Sequence, residues 1–223
     1  MTQFLLVLPV LLFSVVAHEY AHAWTAYRQG DPTAFEQGRL TLNPVPHIDP
    51  FMSVLVPVAL YLLTKGAFTF GAAKPVPVDP RNFRNYRLGD VVVSSAGIVM
   101  NLLIAAACGG VFVLLGLGAP RAGALLDVSG TLQVMARIGV SLNLFLAFFN
   151  LLPIPPLDGS HLLYQALPAR WGARYRQVGR YGFMVLMLTF MVPGLWQVLL
   201  WPVSAVNEIA ESALLPFQLP RVP

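Results

Sequence analysis

Residues 4–22 read FLLVLPVLLFSVVAHEYAH, an uncharged apolar run that ends in two histidines and a glutamate. The apolar segment extends to about Tyr27, a length close to the roughly 20 residues with which a helix crosses a bilayer. No Lys or Arg precedes it and no small-residue cleavage site follows it, so the pattern is not that of a cleaved signal peptide. We therefore predict that residues 4–27, segment A, form a retained transmembrane helix.

The composition of the whole chain indicates a membrane protein. Of the 223 residues, 57% are hydrophobic and only 11% are charged, whereas soluble domains carry about 25% charged residues. The net charge of +4 arises from Lys and Arg residues that cluster in loops between apolar runs, where basic residues normally set membrane orientation. Because no basic stripe with interleaved aromatic residues is present, we expect the lipid bilayer as a partner and no nucleic acid. The one cysteine, Cys108, excludes an intrachain disulfide.

Three further apolar stretches follow segment A. They are segment B (residues 91–118), segment C (residues 131–152) and segment D (residues 181–201), the last of which is broken by Pro193-Gly194. As a helix, the stretch Phe51–Thr64 would be only about 21 Å long, short of the roughly 30 Å hydrocarbon core. We therefore interpret Phe51–Thr64 as a re-entrant or half-crossing element.

These segments predict an all-α polytopic membrane protein with about four to six transmembrane or re-entrant helical segments. No change of composition divides the chain, so we expect a single membrane-embedded domain over residues 1–223. A small strand or loop element is expected after the first helix, because Arg39–Leu42 alternates polar and apolar residues beside turn-forming residues.

The distribution of basic residues predicts the orientation of these segments. Two strongly basic loops, residues 65–90 and 170–180, are expected in the cytoplasm. Segments A and C then both end on the cytoplasmic side, provided that Phe51–Thr64 does not cross. The sequence thus predicts a multi-pass protein of the cell membrane whose chemical motifs lie nearer the cytoplasmic face.

The motif His18-Glu-Tyr-Ala-His22 matches the H-E-x-x-H pattern of metal-binding helices. Residues four apart share a helix face, so His18 and His22 can bind one cation from adjacent turns, and neutral imidazole suits zinc. Glu19 projects beside this face, where its carboxylate can take a proton from water that zinc has acidified. Such patterns also arise by chance, but ionisable groups in a lipid-embedded helix are expensive, which favours a metal site.

Two histidines leave a catalytic zinc one protein ligand short of the usual three. Asp158 lies in NLLPIPPLDG (residues 150–159), which follows segment C on the same predicted side as His22. The prolines keep this stretch out of a regular helix, as is tolerated at membrane depth where protein surrounds it. Asp-Gly is also common in ordinary turns. The incomplete zinc site on the same side favours Asp158 as the third ligand.

These motifs resemble those of the site-2 proteases, the intramembrane zinc metalloproteases of peptidase family M50. HEYAH ends an apolar helix and NLLPIPPLDG follows a later one. LTLNPVPHIDP (residues 40–50), AKPVPVDPRNFRN (residues 73–85) and SSAGIVMNLL (residues 94–103) are also similar to compact members of that family. The resemblance covers residues 14–163, and no PDZ or CBS domain is evident.

The resemblance implies roles for particular residues. His18, His22 and Asp158 would bind one catalytic Zn²⁺ ion, and Glu19 would be the catalytic base.

The resemblance also assigns two asparagines. Asn150 matches an asparagine thought to stabilise the oxyanion or the substrate backbone. Asn101 matches the asparagine of a G-P-x-x-N pattern in the second helix, with Ile98 in place of the usual proline. We count both among the candidate catalytic residues.

Other polar residues have less specific interpretations. An amide in lipid-embedded protein can donate to a developing oxyanion, but interhelical hydrogen bonding is the common alternative for Asn150 and Asn101. Asn143 is expected to be structural. His47 is expected to be a polar loop residue rather than a ligand, and His161 is either unrelated to the site or a group that supports the metal from behind its ligands.

The predicted function is an intramembrane zinc metalloprotease that hydrolyses peptide bonds of a transmembrane protein or peptide. Helical substrates hide their carbonyls in backbone hydrogen bonds, so cleavage should require unwinding, and Arg39–Leu42 is a candidate edge for pairing with the unwound chain. The alternatives are a membrane zinc transporter or a non-catalytic metal-binding membrane protein. Neither explains a glutamate directly after His18.

Overall fold

Helices make up most of the part of the chain that the computed structural model describes, which is residues 2–63, 73–118, 124–192 and 194–219. No β-strand occurs in these ranges, which confirms the all-α class. In chain order the helices are α1 (Thr2–Gln29), α2 (Thr33–Glu36), α3 (Val56–Leu63), α4 (Tyr86–Gly118), α5 (Ala124–Leu151), α6 (Asp158–Ala166), α7 (Ala169–Gly179), α8 (Gly182–Met191), α9 (Leu195–Leu199) and α10 (Trp201–Leu214).

Three of these helices are long and apolar enough to cross a membrane. The candidate spans are Leu5–Gln29 in α1, Tyr86–Gly118 in α4 and Leu126–Leu151 in α5. They correspond to the predicted segments A, B and C. A lipid-embedded backbone must satisfy its hydrogen bonds internally, and long uncharged runs therefore fold as uninterrupted helices.

The remaining apolar stretches form shorter helices. Segment D becomes α8 and α9, and the break falls at the predicted Pro193-Gly194 position, where Gly194 has a positive φ of 79°; Pro193 itself lies outside the described residues. The stretch Phe51–Thr64 forms a π-helical turn, Pro50–Leu55, followed by α3. Thr64 lies outside the described residues. Whether this stretch re-enters the bilayer, and the single-domain organisation, stay predictions.

Helix α4 is the central element of the fold, since it packs against α1, α5, α6 and α10. One apolar core lies between α4, α5 and α10 and is formed by Ala105, Phe112, Ala136, Val140, Leu144 and Leu214. Away from this core the faces are apolar and open: Leu103 and Leu117 of α4 are 61% and 70% exposed. Exposed leucines on a helix of this length are typical of a surface that faces lipid.

Of the two alternatives for Arg39–Leu42, the strand is wrong and the chain forms a loop, with bends at residues 40–42. The groups that would pair with a neighbouring strand have other partners. The imidazole Nε2 of His47 donates to the carbonyl of Thr41 at 3.0 Å. The backbone N–H of Arg39 donates to the Ala34 carbonyl at 2.8 Å, and the Arg39 side chain is only 6% exposed. Alternation over a few residues did not reveal these side-chain contacts.

A segment without helix, Ala73–Asp79, follows and is called the PVP segment. Lys74 and Val76 each precede a proline, which disfavours helical backbone at both positions. The segment is bonded at both ends: Lys74 N–H donates to the His47 carbonyl at 2.9 Å, and Asp79 N–H donates to Asp31 Oδ2 at 2.7 Å. It is thereby held against the loop that follows α1.

Asp31 is the buried anchor for the end of the PVP segment. It is fully buried, and it also accepts hydrogen bonds from the Thr33 hydroxyl at 2.5 Å and from Asn82 Nδ2 at 2.9 Å. Burial alone would raise the pKa of Asp31, but the donors from Thr33, Asn82 and Asp79 outweigh it and hold this pKa below its usual range. The ionised carboxylate therefore fastens the PVP segment to the turn after α1.

Candidate metal centre

The structure brings His18, His22 and Asp158 together, from two elements far apart in sequence. The two histidines lie one turn apart near the end of α1, with their Nε2 atoms 3.0 Å apart. Asp158 is the first residue of α6, and its Oδ2 lies 3.3 Å from His18 Nε2 and 3.2 Å from His22 Nε2. This is the one group of three or more potential metal-binding side chains found among the described residues.

The hydrogen bonds of the two histidines leave both Nε2 atoms free to accept a cation. His22 Nδ1 lies 2.8 Å from the Val93 carbonyl, which can only accept, so Nδ1 carries the proton. His18 Nδ1 lies 2.6 Å from Asn101 Oδ1, and the same tautomer follows. In the neutral form of each ring, Nε2 then carries a lone pair that faces the other histidine.

The donor set fits zinc. Asp158 Oδ2 is buried and has no hydrogen-bond partner among the described residues. Together with the two Nε2 lone pairs it makes three electron-rich atoms, which repel one another unless they share a cation. Tetrahedral zinc with bonds of about 2.0–2.1 Å separates its ligand atoms by about 3.3 Å. The observed separations of 3.0, 3.2 and 3.3 Å are close to that value.

Gly97 allows α4 to pack directly against both histidines. A β-carbon at this position would lie 2.4 Å from His18 Cε1 and 2.5 Å from His22 Nε2. Any side chain here would occupy the space of the imidazole rings, so the imidazoles and α4 can meet only at a glycine. The sequence resemblance included Gly97 as part of a pattern without this explanation.

A chain of buried amides orients His18. Asn101 Nδ2 donates to Asn143 Oδ1 at 2.8 Å, which leaves Asn101 Oδ1 to accept from His18. Asn143 Nδ2 donates in turn to Ser14 Oγ at 2.8 Å. Asn101, Asn143 and Ser14 are all fully buried. The structure thus places Asn101 behind His18, a candidate zinc ligand, and a direct catalytic role for Asn101 stays a prediction.

We expect Asn101→Ala to weaken zinc binding by about 10- to 100-fold, as is typical when a ligand loses its hydrogen-bonded support. The lost acceptor frees the His18 ring to rotate and to change tautomer. Zinc affinity is measured by competition with a chelator on the purified protein.

Asn143→Ala is the matched control for this variant. It removes the next amide in the chain without removing the acceptor of His18, so a smaller loss of affinity is expected. Wild-type zinc affinity in Asn101→Ala would contradict the orienting role.

Contacts of α6 with α5 and with α4 hold Asp158, the first residue of α6, at the candidate metal centre. A β-carbon on Gly159 would lie 2.1 Å from the Leu151 carbonyl, so the glycine permits α6 to approach the end of α5 closely. On the other side Gln165 Nε2 donates to Asp90 Oδ2 at 2.5 Å, and His161 Nδ1 lies 3.2 Å from Asp90 Oδ1. The hydrogen bond to Asp90 raises the pKa of His161. The contact of His161 is thus with Asp90, a residue of α4 that supports α6.

The remaining candidates, Glu19, Asn150 and His47, each have a hydrogen-bond partner outside the group of three donors. Glu19 follows His18 directly, is half-buried, and accepts a hydrogen bond at Oε2 from Val76 N–H at 2.8 Å. Asn150 Nδ2 donates one of its two hydrogens to the Leu146 carbonyl of its own helix at 3.0 Å, and its predicted oxyanion role stays a prediction. His47 is buried, and its ring bonds a loop carbonyl rather than the metal site.

Sequence reasoning did not identify three groups that contact Glu19 or the segments around the site, which are the Val76 N–H, the Arg39 side chain and Asp90. Val76 lies in a stretch that was quoted only for its resemblance, Arg39 was assigned only to a candidate strand, and Asp90 was read only as part of a basic loop. The P-V-P pattern could have singled out the Val76 N–H from the sequence, because the two prolines leave it as the single backbone donor among three residues.

Comparison with known proteins supports the interpretation of this centre. The family model described as Peptidase family M50 matches residues 122–193. "Putative zinc metalloprotease YwhC" of Bacillus subtilis is 43% identical over 192 residues, covering 86% of this chain and 82% of that protein. "Putative zinc metalloprotease Rip2" of Mycolicibacterium smegmatis is 31% identical over 201 residues, covering 86% of this chain and 69% of that protein. No solved structure matches significantly.

Proposed function

The chain belongs to peptidase family M50 and is a membrane zinc metalloprotease, and from that premise we propose that it hydrolyses peptide bonds of membrane-spanning proteins or peptides with Glu19 as the general base. One observation carries the proposal. His18 and His22 lie on an apolar helix long enough to cross a bilayer, Asp158 of α6 completes the donor set with them, and Glu19 lies beside His18 on the same helix.

The location of the donor set supports a substrate that lies in the bilayer. His18 and His22 belong to the candidate span Leu5–Gln29, and the neighbouring α4 exposes apolar residues such as Leu103. A substrate reaching this centre from the side would pass apolar surface, which suits a hydrophobic transmembrane segment.

The proposed chemistry divides among a few groups. Zinc held by His18, His22 and Asp158 would supply a Lewis acid, which acidifies water and polarises the scissile carbonyl. Glu19 takes a proton from the attacking water, whose oxygen forms a bond to the carbonyl carbon. Glu19 then delivers that proton to the leaving amine as the C–N bond breaks. The second N–H of the Asn150 amide, which the Leu146 carbonyl does not use, is a donor for the developing oxyanion.

The substrate must be unwound before attack, because a helix engages its carbonyls in backbone hydrogen bonds. Pairing with an edge at Arg39–Leu42 is not proposed, since the chain forms no strand there. Substrate segments with glycine or proline near the scissile bond are the expected preference, because these residues weaken the helix.

We further propose that the active site lies nearer the cytoplasmic face of the cell membrane. The arginines of α7 support this orientation: Arg174 and Arg176 are exposed, and Arg176 Nη2 contacts Tyr86 Oη, at the start of α4, at 2.6 Å. Arg87, also at the start of α4, donates from Nη2 to the Gln165 carbonyl of α6 at 2.8 Å. Basic residues thus cluster where α4 begins and α6 ends, and α6 is a helix of only 9 residues that starts with Asp158.

Cleavage by the full chain in proteoliposomes tests the proposal. The probes are single-span reporter proteins whose apolar helices are interrupted by glycine or proline, and mass spectrometry locates the cut. We expect cleavage inside or beside the apolar helix that a chelator abolishes and added zinc restores.

A zinc-sensitive dye inside the same vesicles separates the alternatives. Zinc influx without proteolysis would contradict the proposal and favour a transporter. Cleavage of water-soluble peptides combined with intact single-span reporters would contradict the membrane-embedded substrate alone.

A further inference from the structure

A single peptide unit connects Glu19 to a buried arginine. The Val76 N–H that donates to Glu19 Oε2 belongs to the same peptide group as the Pro75 carbonyl. Arg39 Nη2 donates to that Pro75 carbonyl at 3.3 Å and to the Lys74 carbonyl at 2.8 Å. The peptide bond is trans, so its carbonyl and its N–H point in opposite directions. Arg39 and Glu19 therefore bind the two ends of one rigid plane.

The flanking prolines make the Val76 N–H the one backbone donor that this tripeptide can offer to Glu19. Pro75 and Pro77 have no N–H group, so Val76 supplies the one backbone donor of the Pro-Val-Pro sequence. A rotation of the plane that turns the Pro75 carbonyl away from Arg39 also turns the Val76 N–H away from Glu19. No neighbouring donor of this tripeptide can replace it.

Arg39 is an unusual residue to bury for structural reasons alone. Its guanidinium is charged at all relevant pH values, and its side chain forms no ion pair within the described ranges. Its Nε is buried without a partner. Burial of a cation without a counter-charge is unfavourable. A cation at the carbonyl polarises the peptide and strengthens its N–H as a donor to a carboxylate.

We propose that Arg39 is a positioning residue for catalysis, which acts through the Pro75–Val76 peptide unit to orient the Glu19 carboxylate toward the attacking water. The inference rests on the proposed function, in which Glu19 is the general base. It assigns Arg39 no contact with substrate or metal.

The test compares Arg39→Gln, Arg39→Lys and the control Arg28→Gln in proteoliposomes, with the single-span reporter that the wild type cleaves best. Misplacing a catalytic group by about 1 Å can lower the rate by about 100-fold. We expect Arg39→Gln to lower kcat by about 10- to 100-fold, with KM and zinc content unchanged. Arg39→Lys keeps a cation that can reach one carbonyl and should recover part of kcat. Arg28 is exposed at the end of α1, and its replacement should leave kcat unchanged.

A double-mutant cycle distinguishes positioning of Glu19 from a general structural role. If Arg39 acts through Glu19, adding Arg39→Gln to Glu19→Gln should lower the residual rate by less than about twofold. A second variant, Val76→Pro, deletes the N–H while Arg39 remains, and it should reproduce the loss of kcat. If Arg39→Gln proves unstable on heating or loses zinc, Val76→Pro tests the same peptide unit with Arg39 in place.

The outcomes separate the two proposals. Wild-type kcat in Arg39→Gln or in Val76→Pro, or fully additive losses in the cycle, would overturn the role of Arg39. Wild-type activity in Glu19→Gln alone would instead overturn the general base of the proposed function.

Discussion

Glu19→Gln is expected to lower kcat by about 10²- to 10⁴-fold, the usual contribution of a positioned general base. The amide has the shape of the carboxylate and can still accept the Val76 N–H, so the position of the side chain should be preserved. What it loses is the ability to take a proton from water. Cleavage of the reporter under single-turnover conditions measures the loss.

Bound zinc should remain at the wild-type level in this variant, because Glu19 is not one of the three clustered donors. Metal analysis of the purified protein checks this. Glu36→Gln is the matched control, since Glu36 is an exposed residue of the short helix α2. Loss of zinc together with activity in Glu19→Gln would indicate a ligand and refute the general-base assignment.

Gly97→Ala is expected to abolish zinc binding and proteolysis together. The added methyl group would lie within 2.6 Å of three atoms of the His18 and His22 rings. Contacts this short require α1 to move from α4 or the rings to turn out of the site, and either movement separates the donors. We expect zinc affinity to fall by more than the roughly 100-fold associated with outer hydrogen-bond partners.

Gly110→Ala is the control for this variant. Gly110 lies in the same helix, and a β-carbon there would meet no atom within 4 Å. Alanine is a better helix former than glycine by about 1 kcal/mol, so zinc content and thermal stability should not fall. Retention of zinc by Gly97→Ala, with wild-type cleavage, would show that the helices can part without opening the site.

Local sequence patterns were sufficient for the long helices and for the pair of histidines. The segments that became α1, α4 and α5 are long, mostly apolar runs with few charged residues, and lipid allows them only helical backbone. The H-E-x-x-H spacing places His18 and His22 on one helix face whatever the rest of the chain does. The error at Arg39–Leu42 has the opposite cause, because a strand depends on a partner that a short alternating stretch does not specify.

The sequence alone therefore determined the elements whose hydrogen bonds are local, together with the chemical types of the candidate donors. The family resemblance and the predicted side of the membrane had already named Asp158 as a partner of the two histidines, but only the tertiary structure decided the geometry of that contact and which other groups meet. It brought Asp158 to the two histidines, Asn101 behind His18, and Val76 N–H to Glu19. Each of these contacts depends on how α4, α6 and the PVP segment pack against α1, and packing is set by many weak long-range contacts at once. A helical repeat is encoded within a few residues, but a meeting of side chains more than fifty residues apart is not.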